Sequence, residues 1–177
     1  KMANYNAIKY DGFSKGTLTL LSTTTASSDS TISFTSGIDS TYKEYLFIFN
    51  DLHSSVDGGA FLFQGNASGG SGYDETITSA FFRAYHDEAG TSAALGYETG
   101  SDQAQGTGFQ RLTEELIGND NDQSAGGYLH LFNPSDTTYI KHFIGKMSAY
   151  HKSNYHVQSY IAGYFNTTSA IDEIQFK

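Results

Sequence analysis

An all-β fold, an antiparallel β-sandwich of jelly-roll-like type behind an N-terminal arm, is what this 177-residue sequence predicts. Three observations carry that prediction. Wherever a period can be read it is two, the mark of strands with one face turned inward and the other outward. Thirteen tyrosines and thirteen phenylalanines are spread along a chain that has a single proline, no cysteine and no tryptophan, so aromatic packing supplies the core and no disulfide braces it. Breaks rich in Gly, Asn and Asp recur at roughly ten-residue spacing, as turns between short antiparallel strands do.

Taken in order, residues 1–15 read as an arm that leads into a first strand at Gly16–Leu21, where Leu18 and Leu20 alternate with Thr17 and Thr19. The polar linker Ser22–Ser30 follows, then Thr31–Thr35, with Ile32 and Phe34 on one face. Tyr45–Asn50 is apolar on both faces, which predicts a central strand buried between two layers. Further strands are expected at Ala60–Gln64, Thr76–Tyr85, Ala94–Tyr97, Gly108–Leu112, Gly127–Phe132, Thr138–Ser148, Tyr155–Phe165 and Ile171–Phe176. Asp57-Gly58-Gly59, Gly65–Gly72, Gly100–Gly106, Gly118–Gly127 and Asn133-Pro134-Ser135-Asp136 separate them. Asn and Asp bond their own backbone, Gly supplies positive φ, and Pro presets φ in a first turn position. Only Thr113–Ile117 has a helical pattern, one turn long, with Leu112 and Leu116 four apart.

No shift of composition marks a second domain, so residues 16–177 are expected to form one sandwich with a core of ordinary size. The net charge of −9 is spread over the chain, and no cluster of Lys or Arg is dense enough to neutralise a run of phosphates; nucleic acid is not an expected partner. The longest apolar run, Tyr45–Phe49, is far short of a spanning helix, and the N-terminus has no signal-like apolar region, so no membrane association is expected. Lys1 precedes Met2 and the last predicted strand is still running at Lys177, which leaves room for a longer natural chain.

The polar residues carry the candidate chemistry. Of six histidines, His130 and His142 flank the Asn133-Pro134 turn on neighbouring strands and could offer two zinc ligands, but no third ligand follows the same logic and there is no cysteine. His86-Asp87-Glu88 pairs an imidazole with carboxylates, yet neighbours on a strand point to opposite faces, so a charged turn is expected. Asn119-Asp120-Asn121-Asp122 resembles half of a calcium loop without its glycine and bidentate Glu. Gly65–Gly72 lacks the Lys-Ser or Lys-Thr ending of a phosphate loop, and no Gly-x-Ser-x-Gly elbow occurs. Asn66-Ala67-Ser68 and Asn166-Thr167-Thr168 match the glycosylation triplet. No catalytic residue, metal site or cofactor is expected. The tyrosines are more informative: Tyr150 and Tyr155, with His156 between strands of mixed polarity, are candidate interface or ligand contacts, since an apolar ring with a polar tip suits both partner surfaces and sugars. Tyr160 and Tyr164, which share a strand face with Ala162, are expected in the core.

Three stretches, in this order and spacing, carry a resemblance. They are Ile32-Ser33-Phe34-Thr35-Ser36-Gly37-Ile38-Asp39-Ser40-Thr41-Tyr42-Lys43-Glu44-Tyr45, then Leu129-His130-Leu131-Phe132-Asn133-Pro134-Ser135, then Gly163-Tyr164-Phe165-Asn166-Thr167-Thr168-Ser169-Ala170-Ile171. Together they resemble β-rich virion proteins of tailed bacteriophages of marine and cyanobacterial hosts, over most of the chain from about residue 17. The resemblance implies a structural role in the virion, as a capsid decoration (cement or knob) protein or a tail appendage. It also implies a β-sandwich, commonly a homotrimer, with no catalytic residues to carry over, and a further strand or two after the Ile-x-x-Ile-x-Phe-Lys segment. The expected partners are the chain itself and the major capsid protein or tail proteins. The alternative is a receptor- or carbohydrate-binding module in which Tyr150 and Tyr155, with Asp120 and Asp122, hold a surface glycan. A polysaccharide-cleaving enzyme would need two carboxylates facing each other across a cleft.

Overall fold

The computed structural model describes residues 18–114 and 116–177. Its regular elements are eleven strands: β1 (Ile32–Phe34), β2 (Glu44–Leu52), β3 (Leu62–Ala67), β4 (Ile77–Asp87), β5 (Ala93–Tyr97), β6 (Ala104–Gly106), β7 (Gln110–Arg111), β8 (Ala125–Phe132), β9 (Lys141–His151), β10 (Tyr155–Phe165) and β11 (Ile171–Phe176). Every pairing among them is antiparallel. They form a four-stranded sheet, β1-β11-β3-β7, and a larger one, β2-β8-β9-β10-β4-β5, with β6 also against β4. The two sheets pack face to face as a sandwich.

Aromatic rings fill the space between the layers. Phe63 of the small sheet stands edge-on to Phe143 and Phe165 of the large one, at centroid distances of 5.0 and 6.1 Å, and all three are fully buried. Phe176 of β11 meets Phe34, Phe47, Phe49 and Phe61 at 5.1 to 6.1 Å. Each such pair adds about 0.5–1.5 kcal/mol beyond the area it removes from water. The interior is also polar in places, and two buried glutamines find partners there. Gln64, fully buried, donates from Nε2 to the carbonyls of Glu75, Thr107 and Gly108 and accepts the Gly65 N–H at Oε1, which pins two loops to β3. Gln110 does the same between the Ser79 hydroxyl and the Ser101 carbonyl. Gly163 is required where it lies, because a Cβ there would sit 2.5 Å from the Thr78 carbonyl and 2.7 Å from the Phe143 ring.

Ten of the predicted strands have counterparts here, and four readings need correction. The predicted arm lies outside the described residues, as does the start of the strand at Gly16–Leu21. Residues 18–21 form no strand; Leu18 and Leu20 are exposed, because alternation makes a strand only where another strand accepts its ladder. Thr113–Ile117 has no helical residue among those described. Leu116 adopts φ of +107°, and Ile117 instead bridges Gly59 and His151 as a short ladder contact. The predicted break Gly100–Gly106 contains β6. Most consequential, β2 is an edge strand: Tyr45, Phe47 and Phe49 turn inward, but Ile48 on the opposite side is 60% exposed. Its second apolar face meets no second layer.

Candidate groove on the large sheet

The outward side of the large sheet is built in rows, because paired residues in antiparallel register project to the same side. One row runs Ile48, Tyr128, Lys146, Tyr160, Phe82, Tyr97 across six strands. The next is small at Gly126, Ser148 and Ala84, with Gln158 between the last two, and the one beyond is bulky again, Tyr150, His156, His86. A row of short side chains between two rows of rings makes a trough. Gly126 and Ser148 line it, its volume is about 1120 Å³, and it opens to solvent. Pockets for small ligands commonly run to roughly 300–1,000 Å³, so the trough is large enough for an extended occupant.

Its walls are fixed by the chain around it. A bulge between Phe49 and Leu52, with Asp51 at φ +51°, interrupts the β2–β8 ladder and brings Asn50 and Asp51 to one rim. The end of β4 and the turn after it supply Asp87 and Glu88, and the turn before β8 supplies Asp122 and Ser124. Tyr150 donates its hydroxyl to Glu88 at 2.8 Å, and His156 Nε2 pairs with the Ser148 hydroxyl at 3.1 Å. His86 Nδ1 meets the Asp87 carbonyl at 2.7 Å. The Asp87 carboxylate belongs to its own turn, where it accepts the N–H groups of Thr91 and Ser92 at 2.8 and 2.9 Å; these bonds, with the Thr91 hydroxyl first among them, hold its pKa below the usual carboxylate range. The hydrogen bond to Glu88, then burial, then the charges of Glu88, Asp122 and Asp120 raise the Tyr150 pKa, so the phenol stays a donor. Asp51, Asp87, Glu88 and Asp122 all line the trough, and no Lys or Arg does among the described residues. The Lys146 ammonium, on the adjoining row, lies over the Tyr160 ring at 5.4 Å.

The candidate contacts divide. Tyr150 and His156 are register partners on the trough wall. Tyr155 is one residue out of phase and points the other way, where its ring packs on Tyr85 and His151 at 5.6 and 5.3 Å. Of the acidic pair weighed with them, Asp122 lines the trough and Asp120 stands outside the lining. Tyr160 and Tyr164 are corrected in turn: the face they share with Ala162 is the outward one, and Tyr160 stacks on Phe82 at 4.7 Å and 9°. His86, Asp87 and Glu88 all line the trough: His86 and Glu88, two residues apart, share a side by alternation, and Asp87 joins them, against the expectation that the three cannot converge, because it closes the turn that ends the strand. His130 sits opposite Ile144 and His142 opposite Tyr164, so the two do not face each other as a pair. No three His, Asp or Glu side chains gather as a metal-ligating group among the described residues.

A second gathering of charge lies beneath the sheet. Arg83 binds Glu98 through Nε at 2.7 Å and Glu114 through Nη1. Burial raises the Glu114 pKa while Arg83 pulls it back. The guanidinium fills the space between the two carboxylates, which makes the trio an ionic tie. The glycosylation triplet at Asn66 is closed off: the side chain is 7% exposed and Nδ2 donates to Glu173 at 3.3 Å. No protein-family model, curated protein or solved structure matches the chain.

Proposed function

We propose that this chain is an accessory virion protein: a non-enzymatic adhesion module that decorates the capsid as a cement or knob protein, or equips the tail, and acts as an oligomer such as a homotrimer. The phage assignment draws on the resemblance of the three stretches named above. The observation that carries the adhesive role is the uncovered side of the large sheet. Beside the trough, β10, β4 and β5 present the stacked Tyr160–Phe82 pair flanked by Tyr97 and Leu95, which are 54% and 73% exposed. A contiguous patch of apolar and aromatic side chains of this kind is uncommon on a chain that works alone and suits a protein partner. The acidic surface keeps unassembled chains apart at low concentration.

The test is reconstitution. Purified protein is mixed with particles that lack it, and co-sedimentation and mass are measured beside the double variant Phe82→Ser, Tyr97→Ser. Both substitutions lie on the outward side and leave the core intact, so the variant should melt like the parent yet fail to assemble or to join the particle. A parent protein that stays monomeric and ignores particles overturns the reading.

A further inference from the structure

We infer that the trough over Gly126 and Ser148 is a binding site for an uncharged oligosaccharide. The inference rests on the reading of this chain as a binding module and names what one part of its outward face recognises.

Three features select that chemistry. The first is the pairing of polar groups with rings: Tyr128 and Tyr150 stand on the two walls of a floor made of Gly126 and Ser148. A sugar presents an apolar C–H face to rings and hydroxyls at its edges, and a channel with rings on its sides and polar groups at its rim accommodates both. The second is charge. With carboxylates along the rim and no cation lining it, the trough repels phosphate, sulfate and carboxylate ligands, so acidic glycans are excluded.

The third separates a sugar from a basic peptide, the other occupant an acidic rim suggests. Beside Tyr150 the rim is an array of bonded donor–acceptor pairs; of the four carboxylates, Asp51 and Asp122 are the two without such a bond among the described residues. Glu88 accepts from Tyr150, Asp87 accepts from Thr91 and Ser92, and Ser148 pairs with His156. An ammonium group only donates, so it can satisfy none of the donors in these pairs. A hydroxyl both donates and accepts, and so can join such pairs without breaking them: it donates to the spare lone pairs of Glu88 and accepts the hydrogen that the Ser148–His156 pair leaves free. Because the pairs already hold their side chains in place, little ordering is left to be done on binding.

The experiment uses the whole chain. Neutral hexose and N-acetylhexosamine oligomers of two to four units are arrayed beside sialylated and sulfated glycans, and hits are titrated by calorimetry at low and high salt together with an oligolysine peptide. Binding confined to neutral glycans and nearly independent of salt is expected. Tyr150→Ala should weaken it about tenfold or more. Ser148→Trp, at an exposed outward position, should abolish it by filling the floor while the melting temperature holds. No neutral hit at millimolar concentration, preference for the acidic glycans or the peptide, or full affinity in Ser148→Trp would each overturn the inference. The same preparations are tested for addition to particles. Loss of sugar binding with particle binding intact removes the sugar site alone, whereas absence of particle binding removes the adhesion reading.

Discussion

The Tyr150 hydroxyl reaches Glu88 at 2.8 Å from the opposite side of β10, so a single bond ties β9 to the turn after β4 across the strand that carries His156. Tyr150→Phe keeps the ring and removes the tie. The bond is exposed to solvent, so the cost should be under about 1 kcal/mol, in line with other surface hydrogen bonds. The effect should appear locally, as faster amide exchange over 87–92 in the variant, with the rest of the sheet unchanged. Exchange that rises everywhere would mean that the tie bears on global stability.

The two sheets are held together by rings, and Phe143 is central to that contact. It is 1% exposed and meets Phe63 at 5.0 Å and Phe165 at 5.6 Å. Phe143→Ala should lower the unfolding free energy by about 3–5 kcal/mol, the range for deleting a large buried ring. Urea titration followed by tyrosine fluorescence should show an earlier midpoint with an unchanged slope.

Tyr45 closes the loop that leads into β2. Its hydroxyl accepts the Asp39 N–H at 2.8 Å and donates to the Asp39 carbonyl at 2.9 Å, while the ring is buried. Tyr45→Phe preserves the ring and strands both backbone groups, at a cost of about 1–3 kcal/mol. A melting temperature equal to that of the parent would show that water takes over both bonds.

These contacts bear on what could be read in advance. Alternation marks the strands β8, β9, β10 and β11 but not which face turns inward: in β10 it suggests Tyr160 and Tyr164 for the core, and Ile161, one residue out of phase, is the buried one. The edge position of β2 was not legible. Apolar residues on both faces mark a strand covered twice or a strand with one functional face, and only the pairing partners decide which. The trough was legible only in part, since Tyr150 and His156 signalled it by composition while Gly126, Ser148 and Glu88 enter through register with distant strands. The three stretches that carry the phage resemblance turn out to meet. Lys43 donates from Nζ to Asn133 Oδ1 and accepts the Asn133 N–H at its carbonyl; Ile171 N–H donates to the Pro134 carbonyl; and buried Lys141 donates to the Thr167 carbonyl. They join at the end of β9 opposite to Tyr150, so what the resemblance captures there is a structural corner.

His151 gives a pH dependence with a definite sign. It is 8% exposed at the end of β9, and its Nδ1 accepts the Ser153 N–H at 2.9 Å, which puts the proton of the neutral ring on Nε2. Protonation of Nδ1 would break that bond and bury a charge. Burial, first, and then the nearby charges of Arg83 and Lys152 lower its pKa, against a weaker pull upward from Asp57. A histidine whose pKa is lower folded than unfolded binds a proton more readily in the unfolded chain, so its contribution is complete above the unfolded value of about 6.5 and shrinks as the pH falls through that value, levelling below the folded pKa. The chain should therefore lose stability between about pH 7 and pH 5. In His151→Gln, whose carbonyl oxygen can accept the same N–H without titrating, that part of the loss should be missing. Urea midpoints of the two proteins measured across the interval isolate the contribution of this one ring, because the other titrating groups are common to both. A difference between the two curves that stays flat with pH would mean that the ring is free to ionise in the folded chain.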